Sequence, residues 1–180
     1  MKIICVSGVP GTGKTTLAKK LAKKLNFYYL DVSKLILSNK LYEGYDKKRR
    51  TKIVDVKKLT KFLISEIKNF QKLNKSKKFS QRKLFDGIII DSHLSHYLPR
   101  KYVDLCIVVK CDIKELNRRL KKKNFHKNKI IENIQAEIFN VCYEESVQRN
   151  HKIIAINTTK GFNIDSLTSK LGWFNVISKG

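Results

Sequence analysis

Short apolar runs alternate with helical stripes along this chain. Five runs read as strands: Lys2–Val6, Phe27–Leu30, Gly87–Asp91, Asp104–Val109 and Lys152–Asn157. Most are apolar throughout rather than at alternate positions, the pattern of strands covered on both faces. Between them, apolar residues recur at helical spacing. Thr16 to Leu25 carries a stripe of Leu17, Leu21, Ala22 and Leu25. Val56, Leu59, Phe62, Leu63 and Ile67 form a second stripe, with Glu66 its polar exception. Ile113, Leu116 and Leu120 form a third. Ile131, Ile134, Ile138, Val141 and Cys142 form a fourth, and Ile164, Leu167 and Leu171 a fifth. Strands alternating with helices predict a parallel sheet built of right-handed crossovers. Two segments fit neither pattern. Ser38–Thr51 is polar, and Gln71–Leu84 is rich in Lys, Ser and Asn. The second reads as a basic surface loop or a frayed helix end, with an RNA-contact patch as its functional alternative.

Gly8-Val9-Pro10-Gly11-Thr12-Gly13-Lys14-Thr15-Thr16 joins the first strand to the first helix. It fills G-x-x-x-x-G-K-[ST] in the context that motif needs. Gly8, Gly11 and Gly13 let backbone N–H groups turn inward around a polyphosphate, and the helix N-terminus adds its positive dipole end. Lys14 can reach the β- and γ-phosphates of ATP, and the Thr15 hydroxyl can join Mg²⁺.

A second feature is Ile88-Ile89-Ile90-Asp91-Ser92-His93. An apolar strand ending in Asp is where a phosphate-loop protein places the carboxylate that orients Mg²⁺. Parallel sheets present ligands at the carboxyl ends of their strands, so Asp91 is expected beside the phosphate loop. His93 and His96 follow. Either both are exposed loop histidines, or His93 lies near the transferring phosphate or an attacking water. A third feature is the basic stretch Asn117–Lys129, expected to join two helices as a mobile segment that cancels phosphate charge and excludes water. A solvated face would explain most of its lysines. Arg119, one residue before apolar Leu120, is the exception and is expected to turn toward the site.

Composition narrows the setting. The chain has 180 residues, 42% hydrophobic and 30% charged, which predicts one globular domain over 1–180. No apolar run approaches the length of a membrane span, so no membrane partner is expected. The immediate entry into a strand leaves no room for a signal peptide. Cys5, Cys106, Cys111 and Cys142 contain no C-x-x-C pair and read as reduced thiols. These features predict a cytoplasmic, or alternatively nuclear, protein. The net charge of +24, from 39 Lys and Arg against 15 Asp and Glu, exceeds what a nucleotide site needs. It fits contact with a polyanion such as RNA, or a Lys-rich drift of the whole composition.

Four segments are similar to the adenylate kinase isoenzyme 6 family, phosphate-loop kinases that also serve small ribosomal subunit assembly. They are the phosphate loop, Leu41-Tyr42-Glu43-Gly44-Tyr45-Asp46, Ile90-Asp91-Ser92-His93-Leu94-Ser95-His96-Tyr97-Leu98-Pro99, and Glu132-Asn133-Ile134-Gln135-Ala136-Glu137-Ile138-Phe139. Order and spacing agree to about Glu145, and the D-x-H-L-S-H form resembles the archaeal branch. The resemblance implies an α/β fold of nucleoside monophosphate kinase type: a three-layer α/β/α phosphate-loop NTPase with a five-stranded parallel sheet ordered 2-3-1-4-5. It implies phosphoryl transfer from ATP to AMP, giving ADP, with some ATP hydrolysis, and assigns Asp91 and His93 to the family's second nucleotide-hydrolysis motif. It makes about Val32–Lys52 the monophosphate-binding region, about Lys121–Lys129 the lid, and Asn157–Thr159 a candidate adenine contact. It also implies a partner, small-subunit ribosomal protein eleven, and a role in maturation of small-subunit rRNA.

Two departures stand out. The family's lid opens with Arg-Gly-Tyr, whereas this chain has Lys123-Asn124-Phe125, and Lys72–Lys83 is extra length. The expected machinery is therefore Gly11, Gly13, Lys14, Thr15 and Thr16 around ATP, Thr15 and Asp91 on Mg²⁺, and Arg119 and Lys123 closing from the lid.

Overall fold

In the computed structural model, which describes residues 1–47, 51–75 and 85–171, the chain runs β1 (Lys2–Ser7), α1 (Lys14–Lys24), β2 (Phe27–Asp31), α2 (Val32–Ser38), β3 (Gly44–Asp46), β4 (Thr51–Ile53), α3 (Val56–Lys75), β5 (Gly87–Asp91), β6 (Leu105–Lys110), α4 (Ile113–Lys122), α5 (Lys127–Ile138), α6 (Val141–Gln148), β7 (Ile153–Asn157) and α7 (Ile164–Lys170). The main sheet is parallel, in the order β2-β5-β1-β6-β7. Counting only its own strands, that is 2-3-1-4-5, the expected order.

The central strands β5, β1 and β6 are apolar along most of their length because both faces are covered, whereas the edge strands β2 and β7 are partly exposed. Ile3 and Cys5 of β1, with Ile88 and Ile90 of β5, pack toward Leu59, Leu63 and Ile67 of α3. The alternate residues Ile4, Val6 and Ile89 pack toward Leu17 and Leu21 of α1 and Leu167 of α7. Period two in the strands meets a helical stripe on each side, giving the three-layer α/β/α sandwich. Pairing registers Val6 with Asp91 and Asp31 with Asp91, so the carboxyl ends of β1, β5 and β2 lie side by side.

Several expectations need correction. Part of the polar stretch Ser38–Thr51 is ordered: β3 pairs antiparallel with β4 in a small hairpin. Of the two alternatives for Gln71–Leu84, the helix end holds for Gln71–Lys75, which continues α3, while residues 76–84 lie outside the described residues. Most of the basic stretch Lys72–Lys83 therefore lies outside them too. The fourth stripe is two helices, not one. Asn140 adopts φ +52, a left-handed conformation that Asn tolerates, and α6 starts anew after it. Ile131 and Ile138 are correspondingly exposed, at 45% and 54%. The basic segment Asn117–Lys129 is mostly helical, since α4 runs to Lys122 and α5 begins at Lys127, leaving Lys123–His126 as the joint. Among the described residues, no helix is long and apolar enough to cross a membrane.

Candidate functional site

The phosphate loop leaves β1 at Ser7. Gly8 has φ +135°, and a Cβ there would stand 2.3 Å from the Val109 carbonyl oxygen, so only glycine lets the loop pass so close to β6. Gly13, at φ +97°, turns the chain into α1. Inside the loop the Val9 carbonyl accepts from the Thr12 amide at 3.2 Å, the Thr12 hydroxyl at 2.8 Å and Lys14 Nζ at 3.0 Å. Lys14 is only 9% exposed. Burial pushes its pKa down to about 8, although Asp91 pulls the other way. Lys14 is thus a buried cation folded back onto its own loop.

The loop forms one wall of a cavity of about 410 Å³. Pro10, Gly11, Gly13, Lys14, Thr15 and Thr16 face Asp91, Ser92 and His93 across it, with Asp31 and Ser33 from the end of β2 and the start of α2. Lys123 and Phe125 of the α4–α5 joint complete the lining. All the expected phosphate-loop residues thus share one cavity with Asp91, His93 and Lys123.

Asp91 is 5% exposed at the tip of β5. Its Oδ2 accepts from the Tyr29 hydroxyl at 2.8 Å, and that hydroxyl also lies beside Thr15. Burial and the bond to Asp91 raise the Tyr29 pKa. A hydroxyl and a carboxylate are hard oxygen donors of the kind Mg²⁺ takes. The described residues hold no cluster of three His, Cys, Asp or Glu fit for a metal. Thr15 and Asp91 would hold Mg²⁺ here, and the ion would supply neutralisation of phosphate charge.

His93 is exposed as a residue and lines the cavity. The surrounding protein, and then Lys14, His96 and Lys129, disfavour its cation and push its pKa down. His96 is no exposed loop histidine, contrary to one of the two expectations. It is 1% exposed in the 3₁₀ turn Ser95–Tyr97, with Ser7 Oγ 2.7 Å from Nδ1 and Glu145 Oε2 2.7 Å from Nε2.

Arg119 and Asn157 lie outside this lining. Arg119 Nε donates to Glu115 at 2.7 Å, and its two terminal nitrogens donate to the Thr12 carbonyl at 3.5 Å and to the Thr158 and Thr159 carbonyls at 2.9 and 3.2 Å. It clasps the phosphate loop at Thr12 to the turn after β7. Thr158 reinforces the clasp with a hydroxyl bond to the Thr12 carbonyl. Asn157 accepts from the Thr159 amide at 2.9 Å and lines a different cavity, with Lys110, Cys111, Asp112 and Glu137.

Tyr29, Asp31 and Ser92 are site residues the motif reading missed. For Tyr29 and Asp31 the signal is the pairing of β2 with β5, which sets Asp31 opposite Asp91 and lets Tyr29 reach along the strand, and no local motif encodes it; Ser92 follows directly from its place after Asp91. Lys123-Asn124-Phe125 makes a tight joint. Asn124 has φ +54°, Phe125 packs with Leu116 and Leu120, and Lys129 Nζ lies 5.0 Å from its ring centroid.

A family model described as an AAA domain matches residues 4–140. The chain is 35% identical to a putative adenylate kinase of Methanocaldococcus jannaschii over 156 residues, 87% of this chain and 76% of that protein. It is 30% identical to an adenylate kinase isoenzyme 6 homolog of Caenorhabditis elegans over 143 residues, 79% of this chain and 71% of that one. Among solved structures, a sugar kinase from Janibacter superposes with TM-score 0.62 at 14% identity, covering 98% of this chain and 96% of its own. A shikimate kinase from Acinetobacter baumannii gives 0.53 at 14% identity, covering 99% and 95%. Both share the fold.

Proposed function

The chain belongs to the adenylate kinase isoenzyme 6 family, and from that footing we propose that it transfers the γ-phosphate of ATP to AMP, with a slower ATP hydrolysis, at the cavity between the phosphate loop and Asp91. One observation carries this reading: Lys14 and Thr15 face Asp91 and His93 across a single cavity that Lys123 and Phe125 close from one side. Lys14 holds the β- and γ-phosphates, and Thr15 and Asp91 hold Mg²⁺. The monophosphate lies over the strand ends, where Asp31 and Ser33 line the cavity, in the Val32–Lys52 region. α2 and the β3–β4 hairpin build that region, and Glu43 ties it to α3 through Lys58 at 2.6 Å. Lys123 is the lid cation in the Lys121–Lys129 segment. Arg119 supports the nucleotide through the phosphate loop it clasps. Thr158 and Thr159, with Asn157 just before them, border the adenine end. No side chain forms a covalent bond, because the phosphate oxygen of AMP attacks in line while the site supplies position and charge.

The charge of +24 favours a second role for the same ATP site: hydrolysis that times release from small-subunit ribosomal protein eleven or small-subunit rRNA, in the cytoplasm. Product analysis separates the two. With labelled ATP and Mg²⁺, label moving into ADP only when AMP is added supports the kinase. Free phosphate that ribosomal protein or rRNA accelerates, with no transfer to AMP, would replace it by the assembly ATPase.

A further inference from the structure

Beneath the cavity, β1 is stitched to the turn that follows β5. The Val6 carbonyl accepts from the Ser92 amide and the Ser95 hydroxyl, each at 3.2 Å, and the Cys5 thiol donates to the Ser95 carbonyl at 3.3 Å. These contacts fix backbone. One contact joins two side chains instead: Ser7 Oγ to His96 Nδ1 at 2.7 Å. On the other edge of that ring, Nε2 lies 2.7 Å from Glu145 Oε2 on α6. The remaining Glu145 oxygen accepts from the Tyr97 hydroxyl at 2.9 Å.

Hydrogen-bond roles follow from chemistry. An ionised carboxylate only accepts, so Nε2 carries the proton. Burial disfavours the imidazolium more than Glu145 favours it, which leaves Nδ1 with a lone pair. Ser7 must therefore donate to Nδ1. That fixes its rotamer and keeps its proton from the His93 carbonyl, 3.5 Å away. Ser7 directly precedes Gly8, and His93 follows Asp91 by two residues. The two segments that carry the phosphate-handling groups thus meet at one hydroxyl. Glu145, the outermost of these partners, lies on α6, just beyond α5, which itself starts at the joint bearing Lys123 and Phe125.

We propose that Ser7–His96–Glu145 is a positioning relay that sets the phosphate loop against the Asp91–His93 turn, so that cutting it slows phosphoryl transfer while ATP binding persists. A histidine that merely filled the core would need partners on both nitrogens. It would not need one of them to be the last side chain before the phosphate loop. The inference rests on the ATP-site reading above.

Turnover of ATP with AMP is measured for Ser7→Ala, His96→Gln, His96→Asn and the Ser7→Ala/His96→Gln double variant. His96→Gln keeps a donor for Glu145 and loses the acceptor for Ser7, and kcat should fall ~10-fold with KM for ATP within about twofold. Ser7→Ala should match it. The double variant should be no worse than either, because one linkage is cut once. His96→Asn restores an acceptor near Nδ1 and should recover part of kcat. Unchanged kcat in the folded variants, multiplying losses in the double variant, or equal losses in His96→Gln and His96→Asn would overturn the relay. Nitrogen-15 NMR reads it without turnover. His96 should show a protonated Nε2, and Glu145→Ala should shift the Gly8 and His93 amides. A protonated Nδ1 with bare Nε2, or unmoved amides, would sink the relay even in a protein that turns over no ATP. Absence of turnover in the wild type would by itself count against the ATP-site reading.

Discussion

Lys14→Met should stabilise the nucleotide-free protein while abolishing its chemistry. The ammonium of Lys14 is buried, and its pKa stands at about 8 against an ordinary 10.5. At ~1.4 kcal/mol per pKa unit, holding that charge in the fold costs about 3 kcal/mol near neutral pH. Methionine fills similar volume without charge. The lost bond to the Val9 carbonyl gives back ~1 kcal/mol, and that carbonyl keeps the Thr12 amide and hydroxyl as donors. A net gain of about 2 kcal/mol remains, a rise in Tm of roughly 4–8 °C for a chain this size. The pH dependence has a definite sign. Between about 8 and 10.5 the unfolded wild-type chain holds a proton on Lys14 that the folded one has released. Wild-type stability should therefore rise with pH across that window, and the advantage of Lys14→Met should shrink. Urea unfolding followed by circular dichroism at pH 7 and pH 9.5 measures both. A variant no more stable than wild type at pH 7, or a gap independent of pH, would refute the claim that Lys14 is held at a cost until phosphate arrives. Retained ATP turnover would refute its place in catalysis.

The other perturbations probe different parts of the site. Arg119→Ala should lose about 2 kcal/mol and raise KM for ATP, and Arg119→Lys should restore little of either, because one ammonium cannot span Glu115, Thr12 and Thr158 as the guanidinium does; denaturant melts and initial rates test it. Glu137 is buried, accepts from the Cys111 amide at 2.9 Å, and has its pKa raised by burial. Glu137→Ala should cost ~1–3 kcal/mol by orphaning that amide, whereas Glu137→Gln should be neutral or stabilising. Wild-type stability should also fall as pH rises from 4.5 through the raised value, a slope that Glu137→Gln removes in urea titrations. His93→Ala should impair hydrolysis more than transfer to AMP if the ring orients water, and equal losses measured by product analysis would point to a general phosphate role. If the basic surface engages RNA, affinity for small-subunit rRNA should fall steeply with salt, and neutralising lysines within Lys72–Lys83 should flatten that slope without changing AMP-dependent turnover.

Local features were legible where one segment carries its own cause. The phosphate loop needs only glycines, a lysine and a hydroxyl in order, flanked by a strand and a helix. The three central strands need only apolar runs that both faces can bury, and the edge strands β2 and β7 only short apolar runs between helical stripes. Features that depend on two distant segments were not legible. Tyr29 and Asp31 become site residues only because β2 pairs with β5 in a register that no local pattern states. His96 is buried because α6 crosses above it and offers Glu145. The turn sequence alone equally allows an exposed ring. Arg119 is expected from its spacing to turn inward from α4, but its partners are set by the loop after β7, some forty residues further along. The fourth apolar stripe misled for a related reason: Val141 and Cys142 continue its spacing past Asn140, where the backbone turns left-handed and the helix ends.

The joint between α4 and α5 gives the converse case, in which three changed letters reduce to one chemical change. Relative to the Arg-Gly-Tyr of the family it resembles, Lys123-Asn124-Phe125 looks like a broken lid. Yet Asn124 takes φ +54°, the left-handed geometry that a glycine would supply, and asparagine is among the residues that reach it at least cost. Phe125 keeps an aromatic ring packed on Leu116 and Leu120 while lining the cavity, and loses only a hydroxyl. The turn and the wall therefore survive, and what differs is a point charge where a planar fork would stand. Lys123→Arg should then lower KM for ATP severalfold by adding a bidentate grip on phosphate, with little change in stability because the residue lies at the exposed end of α4. Steady-state kinetics decide it. A Lys123→Arg variant with unchanged KM would mean that the joint does not reach the phosphates, and that its lining of the cavity is not a grip.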